Sequence, residues 1–449
     1  MLNLRTRSKS HLQRAAMLLA VALPMSGCGA FDGWFGEDKK PLPGKRDLVF
    51  AERDPLALGT AAALKVTLPA PAAMADWPQA GGRPDHDDEH PAAGAALSRA
   101  WTARIGASGG YRAKITAQPV VANGRVFTMD SDAGVSAFDA ASGRGLWSVE
   151  TQAEDNRSTN VGGGISVDGE TLYVTTGRAD LLALDVTNGK TRWRVKLPNA
   201  ARSAPTVGDG RLYVSTLDSQ VLAYALSDGS KLWTHQAMNA DTSILGLPAP
   251  AFADATVVAG FGSGDLVALR AATGSVAWLD SLAAAQGRTS ISEFSAITGM
   301  PVIKGGRVLA TGLGRQLVAI DLRSGRRLWE RDVASTETPW VAGDWIFVLA
   351  SNNVLAAVSR QEGLTAWTVQ LPSFKDMEKK KDLIHWTGPT LLGDRLVVAG
   401  TNGEALSISP YTGEILGKQS LPGPIAVAPV VAGGTLYVVT DDATLTALR

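Results

Sequence analysis

The chain has 449 residues, and its 43 Lys and Arg residues are balanced by 43 Asp and Glu residues, so the formal net charge is zero. Without an excess of basic residues the chain has no positive field to attract nucleic acid, and we therefore expect no nucleic-acid partner. Gly is abundant at 48 residues, whereas Cys occurs once, at Cys28. A single Cys excludes any site that needs two cysteines of the same chain.

The first 27 residues have the composition of an export signal. A basic start between Arg5 and Arg14 precedes a short apolar run at 15–23. The run is far below the roughly 20 apolar residues that a membrane-spanning helix needs. Its length and its basic flank are typical of a cleaved signal, so we predict a signal peptide over residues 1–27.

Cys28 directly follows the small residues Ser26 and Gly27. This placement resembles the processing site of bacterial lipoproteins, although Met25 stands where Leu is usual. The resemblance implies fatty-acyl chains such as palmitate on Cys28, and several chains hold a protein on a membrane far better than one. Gly29 in the next position, in place of Asp, implies sorting to the outer membrane of a Gram-negative cell.

Residues 28–96 carry little signal for a fold. The stretch contains an Ala/Pro-rich patch at 68–74 and a polar run at 84–91, and we predict a lipidated N-terminus followed by a largely disordered tether. Within it we expect residues 77–82, which contain Trp77, to pack against the folded domain. His86 and His90 have the spacing of metal ligands on a helix, but Pro84 and Pro91 bracket the run, so we favour a solvated linker and predict no metal site.

A short apolar strand, a Gly-bearing turn and a Trp recur every 40 to 50 residues or so, which is the mark of a repeat architecture. In the first copy the strand begins at Val135, the turn contains Gly143 and the Trp is Trp147, four residues after the Gly. Each copy accommodates four short strands, and in most copies a Pro stands at the head of the first strand. The repeated residues are Trp147, Trp193, Trp233, Trp278, Trp329 and Trp367.

Two further units indicate a closed ring. The seventh keeps its turn at Gly413 but has Gly417 in the Trp position, and the eighth reaches Arg449 before any turn or Trp appears. Trp101 lies in an apolar stretch ahead of the first copy, with no repeat of its own. We therefore predict an all-β fold over residues 97–449, an eight-bladed β-propeller of four-stranded antiparallel blades in which an N-terminal strand joins the C-terminal blade and closes the ring.

The pattern of Ala183-Leu-Asp185, Gly189 and Trp193 resembles the repeat of two groups of propellers. These are the pyrroloquinoline-quinone (PQQ) dehydrogenases and the BamB family of outer-membrane protein assembly factors, and the likeness covers residues 97–449. A shared fold does not decide function. For the repeated Trp residues, Trp101 included, we expect burial between blades, with sugar or quinone binding as the alternative.

The enzyme interpretation asks for residues that the chain does not supply. PQQ dehydrogenases, by resemblance, bring a metal-bound quinone, a catalytic Asp and in many members two adjacent cysteines, which a chain with one Cys lacks. The Gly-rich stretch 260–264 is not followed by a helical pattern, so it does not predict a phosphate loop. We predict no catalytic residues, no cofactor and no enzyme activity.

Two long loops place apolar residues in polar surroundings. Ile244 and Leu245 lie in the loop before Pro250, and Ile291 and Phe294, with Glu293 beside them, lie in the loop before Pro301. Apolar groups rimmed by polar ones are candidate contact sites, although capping of the propeller rim is an equal alternative. The resemblance to BamB implies that these loops contact the periplasmic POTRA domains of a BamA-like β-barrel protein, although Ala296 and Thr298 stand where acidic residues are expected.

The sequence therefore predicts a lipid-anchored protein on the periplasmic face of the outer membrane. Its function would be that of a non-catalytic scaffold in the β-barrel assembly machinery, supporting the insertion of β-barrel proteins. A PQQ-dependent periplasmic dehydrogenase and a propeller that binds an unrelated protein remain as alternatives. A third long segment, 374–382, is charged and is interpreted as a short solvated helix on the rim, with a basic recognition patch as the alternative that its interleaved acids disfavour.

Overall fold

The computed structural model describes residues 56, 64–94, 97–111, 113–152, 159–239, 248–283, 295–314 and 316–449. All of these belong to one compact unit, Asp54–Arg449. Within the described ranges the regular secondary structure is entirely β, and no helix there has the length and apolar character needed to cross a membrane.

The described strands are, in chain order, β1 (Arg99–Arg104), β2 (Val120–Ala122), β3 (Arg125–Met129), β4 (Val135–Asp139), β5 (Gly145–Val149), β6 (Gly163–Asp168), β7 (Thr171–Thr176), β8 (Asp180–Asp185), β9 (Thr191–Lys196), β10 (Thr206–Gly208), β11 (Arg211–Ser215), β12 (Gln220–Ala225), β13 (Lys231–Gln236), β14 (Ala251–Ala253), β15 (Thr256–Gly260), β16 (Asp265–Arg270), β17 (Val276–Ser281), β18 (Val302–Lys304), β19 (Arg307–Gly312), β20 (Gln316–Asp321), β21 (Arg327–Arg331), β22 (Trp340–Ala342), β23 (Trp345–Leu349), β24 (Val354–Ser359), β25 (Thr365–Gln370), β26 (Phe374–Asp376), β27 (Lys381–Leu383), β28 (Trp386–Leu392), β29 (Arg395–Gly400), β30 (Glu404–Ile408), β31 (Ile415–Ser420), β32 (Val430–Ala432), β33 (Thr435–Thr440) and β34 (Thr444–Leu448).

All of these strands except β26 and β27 form eight four-stranded antiparallel sheets, the blades of a propeller, and β26 pairs with β27 in a separate two-stranded sheet. Blades 1 to 6 use consecutive strands from β2 to β25, and blade 7 contains β28 to β31. Blade 8 combines β32, β33 and β34 with β1, which pairs with β34 from Arg104 opposite Thr444 to Arg99 opposite Leu448. The predicted eight-bladed ring, closed by an N-terminal strand, is confirmed.

The core lies between neighbouring blades. The middle strands of each blade are buried on both faces, as in β8, where five of the six residues are buried. The outermost strands alternate instead, as in β9, whose side chains are exposed or half-buried in turn. Apolar residues of β3 and β4 pack in one cluster with those of β6, β7 and β8, so each interface depends on two successive blades. A blade alone would leave one of its faces in water.

Five of the six prolines expected at the head of an inner strand stand there. Pro119, for example, directly precedes β2. Pro389 is the exception because it lies inside β28, where the register with β29 shifts between Thr387 and Thr390. An irregularity of this kind tolerates the missing backbone N–H of Pro.

The predicted tether needs a correction for residues 64–94, which we name the strap. The strap is not a free linker: it hydrogen-bonds to every blade over distances of 2.6 to 2.9 Å. The reason is that the inner strands have an unpaired edge whose N–H groups need acceptors. The contacts join Trp77 to Val121, Pro78 to Val167, Gln79 to Val207, Pro84 to Phe252, Asp85 to Ile303, Glu89 to Trp340, Pro91 to Gly393 and Met74 to Gly433.

The charged segment 374–382 also differs from its prediction. It forms a two-stranded hairpin of β26 and β27, with Phe374 opposite Leu383, and not a helix. The carboxylate of Asp376 accepts a hydrogen bond from the backbone N–H of Lys379 at 3.0 Å, which stabilises a turn in place of a helical start. Lys380 and Asp382 have positive φ values of 49° and 58°, which a helix excludes.

Candidate functional site

The repeated Trp residues lie between blades and hydrogen-bond across them. Each indole N–H donates to a backbone carbonyl in the next blade at 2.7 to 3.2 Å, three residues before the turn Gly of that blade. The pairs are Trp101 with Ala140, Trp147 with Val186, Trp193 with Leu226, Trp233 with Ala271, Trp278 with Leu322, Trp329 with Arg360 and Trp367 with Pro410.

The turn Gly of the next blade covers each of these indoles. A Cβ atom added to any of these glycines would lie 2.5 to 2.8 Å from the indole of the preceding blade. The glycines are Gly143, Gly189, Gly229, Gly274, Gly325, Gly363 and Gly413. The fixed spacing of Gly and Trp in the sequence therefore records a contact between successive blades. Each indole N–H is hydrogen-bonded and each indole packs against a turn. These Trp residues therefore make the contacts between successive blades of the propeller.

The acidic and histidine-containing run of the strap is buried and not solvated as expected. His86, Asp87, Asp88 and His90 are exposed by only 2 to 8%. The two ring nitrogens of His90 lie 2.6 Å from the carbonyl oxygen of Pro69 and 2.8 Å from that of Gly393. Among the described residues no group of three or more potential ligands could hold a metal ion.

Lys304 is the cation that anchors this run, and the sequence analysis missed it. Its Nζ lies 2.9 Å from both carboxylate oxygens of Asp87 and also contacts Glu89. Burial raises the pKa of Asp87 despite the opposing effect of Lys304. For the less buried Glu89, desolvation acts to raise the pKa, but the contacts with Lys304 lower it overall. The signal in the sequence was that the apolar inner strand β18 ends in a Lys, whereas β2 ends in Ala122.

A cavity of about 240 Å³ lies at the axis of the ring. Its lining residues come from the start of the inner strand of each blade or from the segment just before it, and the strap contributes Trp77, Gly81, His86 and Asp88. The closed ring thus creates a concave site to which all eight blades contribute. Such a site is the default position for a small ligand in a propeller of known fold and unknown chemistry.

Glu337 and Arg202 join Asp88 and His86 of the strap in the lining of this cavity. The carboxylate of Glu337 accepts hydrogen bonds from the hydroxyl of Thr387 at 2.6 Å and from the backbone N–H of Gly388 at 3.0 Å. The Arg202 guanidinium donates to the carbonyl of Val161 at 3.2 Å, and burial lowers the pKa of Arg202. Hydrogen bonds within the ring therefore hold both Glu337 and Arg202 in place.

The residues predicted for lipidation and for partner binding lie outside the described ranges. These are Cys28, Ile244, Leu245, Ile291, Glu293 and Phe294. The described flanks of the two loops, however, belong to the cavity rim: Pro248 and Ala249 follow the first loop, and Thr298 and Met300 follow the second. The hydroxyl of Thr298 donates to the carbonyl of Thr336 at 3.1 Å, which ties this flank to the next blade.

Comparison with protein families matches the chain to the model described as outer membrane protein assembly factor BamB, over residues 98–161, 131–369 and 373–449. A relative of that name from Burkholderia pseudomallei strain K96243 is 29% identical over 355 residues, which cover 77% of this chain and 86% of the relative. The relative of the same name from Escherichia coli K12 is 28% identical over 354 residues, covering 77% and 87%.

Solved structures share the fold. BamB from Moraxella catarrhalis superposes with a TM-score of 0.67 at 19% identity, over 79% of this chain and 99% of that chain. A quinohemoprotein alcohol dehydrogenase from Comamonas testosteroni gives a TM-score of 0.62 at 14% identity, over 84% and 81%. At these identities the likeness establishes the propeller and leaves the chemistry open.

Proposed function

The chain belongs to the outer membrane protein assembly factor BamB family, and on this premise we propose that it is a non-catalytic scaffold lipoprotein of the outer-membrane β-barrel assembly machinery. The observation that carries the proposal is the family match across residues 98–449, nearly the whole propeller. A rigid closed ring with interlocked blades suits a scaffold, because it presents loops in fixed positions without a change of shape.

The membrane anchor is assigned to Cys28. It rests on the basic start, the short apolar run and the only Cys of the chain, directly after Ser26 and Gly27. Acyl chains on Cys28 would hold the protein at the outer membrane, on its periplasmic face. Residues 1–27 would be the signal peptide, and residues 29–63 would connect the anchor to the strap.

The partner is proposed to be a BamA-like β-barrel protein, contacted through its periplasmic domains. The contact residues would be Ile244, Leu245, Ile291, Glu293 and Phe294. The support is that both loops join described segments at the rim of the axial cavity, in neighbouring blades 4 and 5. We expect the apolar residues of both loops to contribute to the contact, because interface energy concentrates in a few central apolar groups.

The first test is affinity capture of the full-length protein from its own membranes in mild detergent, beside a double variant, Ile244→Asp with Leu245→Asp. The matched control is Ile415→Asp with Leu416→Asp, which changes the same residue types on the outer strand β31, where they are 44% and 55% exposed. We expect a β-barrel protein with periplasmic repeats to be recovered with the wild type and the control, and at least tenfold less with the loop variant.

Each result bears on a different part of the proposal. Equal recovery with all three proteins would retain the scaffold and remove Ile244 and Leu245 from the interface. Failure to recover a barrel protein, under conditions that preserve other membrane complexes, would contradict the scaffold itself. Stoichiometric PQQ binding together with dye reduction by an alcohol would replace the scaffold by the dehydrogenase alternative.

A further inference from the structure

The chain ahead of the strap reaches the propeller at Leu56. The side chain of Leu56 is only 2% exposed, and it belongs to the apolar cluster between blades 5 and 6. Leu56 precedes β1, the first strand of the ring, by more than 40 residues, so a place within a blade does not explain its burial. The burial therefore marks a contact between the N-terminal chain and the ring.

Both blades contribute to the cluster that contains Leu56. Leu309 and Leu317 belong to strands of blade 5, whereas Ile346 and Val348 belong to β23 of blade 6. These four side chains are fully buried, and every side chain of the cluster is apolar. Such a site offers no hydrogen-bond partner to a polar group, so it selects an apolar side chain, and Leu56 supplies one.

The start of the strap agrees with this contact, because it also lies against blade 6. Val66 is buried in a second cluster that includes residues of β22 and β23. Pro69 packs on the turn between these strands, where a Cβ added to Gly343 would lie 2.9 Å from the Cδ of Pro69. Leu56 and Val66 are ten residues apart, which an extended chain spans with at most roughly 33 to 36 Å. A chain seated at Leu56 can therefore continue along blade 6 into the strap.

We propose that Leu56 docks the N-terminal chain between blades 5 and 6, and that this contact is where the tether of the propeller ends. The occupant of the site is thus a segment of the same chain. With the anchor at Cys28, a premise that rests on the proposed function, the tether would be residues 29–55. A flexible chain of this length spans roughly 26 to 31 Å in root-mean-square terms.

The first test measures how accessible position 56 is in the purified full-length protein in mild detergent. The variant is Leu56→Cys, and the matched control is Leu232→Cys, because Leu232 lies on the outer strand β13 of blade 3 and is 47% exposed. The rate of modification by N-ethylmaleimide is measured for both variants, in buffer and in urea. The wild type gives the background rate of Cys28, the only Cys of the chain.

We expect Leu56→Cys to react about tenfold more slowly than Leu232→Cys in buffer, because the reagent reaches position 56 only when the segment leaves the ring. In urea the two rates should be equal. Equal rates in buffer would overturn the docking. Rapid reaction of the wild type would contradict the acylation of Cys28 and would leave the docking measurable, since the background is subtracted.

The second test locates the contact. The photoreactive residue p-benzoylphenylalanine replaces Leu56 in one protein and Leu232 in another, and the products of irradiation are mapped by mass spectrometry. We expect the probe at position 56 to crosslink within residues 302–358, which span the strands of the cluster in blades 5 and 6. The probe at position 232 should give no crosslink there. Crosslinks from position 56 that are confined to other blades would overturn the assigned site.

Discussion

At the scale of single residues, the interface between two blades depends on a turn residue that has no side chain. Gly274 has a φ of +70°, and a Cβ there would lie 2.6 Å from the indole of Trp233. Two separate requirements thus coincide at one position: a left-handed backbone and contact with an aromatic ring. The same pair of requirements recurs at Gly325 against Trp278 and at Gly363 against Trp329.

Gly274→Ala should destabilise the propeller more than the backbone conformation alone explains. The matched control is Gly210→Ala, since Gly210 has the same φ of +70° but open space around its Cβ position. Both changes incur the left-handed backbone cost of about 1 to 2 kcal/mol. Only Gly274→Ala adds overpacking against a buried indole, about 1 to 3 kcal/mol. Urea-induced unfolding measures the difference, and equal losses in the two variants would contradict this account.

His86 should make the stability depend on pH. Its pKa of about 4 in the folded protein lies below the ordinary value of 6.5, so between these values the unfolded chain binds more protons. The stabilising contribution of neutral His86 is present above pH 6.5 and is lost as the pH falls toward 4. The free-energy difference between wild type and His86→Gln should therefore shrink by about 2 kcal/mol from pH 7 to pH 5.

Urea unfolding at both pH values tests this prediction, because titrations shared by the two proteins cancel in the difference. Burial of Asp88 raises its pKa and acts in the opposite direction, but it is present in both proteins. A difference that stays constant between pH 7 and pH 5 would show that His86 titrates normally.

At the scale of elements, the strap differs from the blades in how the chain specifies it. It has no regular secondary structure, and its principal contacts use backbone carbonyls such as those of Met74, Pro84 and Pro91. Side-chain specificity enters mainly through Gln79 and through the ion pairs of Lys304. We therefore infer that the strap becomes ordered only on the assembled ring, because the acceptors that it supplies pair with donors from all eight blades.

Lys304→Met should loosen the strap. Removal of the cation leaves the carboxylates of Asp87 and Glu89 without their partner, and breaking a buried ion pair costs about 3 to 5 kcal/mol. The control is Lys379→Met, because Lys379 pairs with Asp376 at 4.0 Å and is 69% exposed, where an ion pair contributes little. Hydrogen exchange of residues 74–91 should accelerate in the first variant and stay unchanged in the second.

The contrast between blades and strap explains what the sequence could predict. Strand positions and blade number follow from a repeated spacing, because each Trp has its Gly at a fixed distance along the chain. The burial of His86, Asp87 and His90 does not follow, since their partners Pro301, Lys304 and Gly393 lie more than 200 residues away. The axial cavity was missed for the same reason: its lining comes from short segments of all eight blades.

At the scale of the whole molecule, the ring has one interface that differs from the others. Blade 7 has Gly417 in the Trp position, and blade 8 offers no Gly turn to receive an indole. There β34 and β1 are joined by backbone hydrogen bonds between Ser98 and Arg449, at 2.6 and 2.8 Å, in place of a turn. The missing Trp of blade 7 and the missing Gly turn of blade 8 are therefore connected, because that indole would have packed against that turn.

The pairing of β34 with β1, which closes the ring, should control the cooperativity of unfolding. Truncation after Thr440 removes β34, which pairs with β33 on one side and with β1 on the other, so it opens the ring and exposes two strand edges. Open edges invite association between molecules. We expect the truncated protein to unfold in a broader transition and to elute as larger species in size-exclusion chromatography. Removal of Arg449 alone retains β34 and should preserve a single sharp transition, and a monomeric, cooperatively unfolding truncation would show that seven blades suffice without closure.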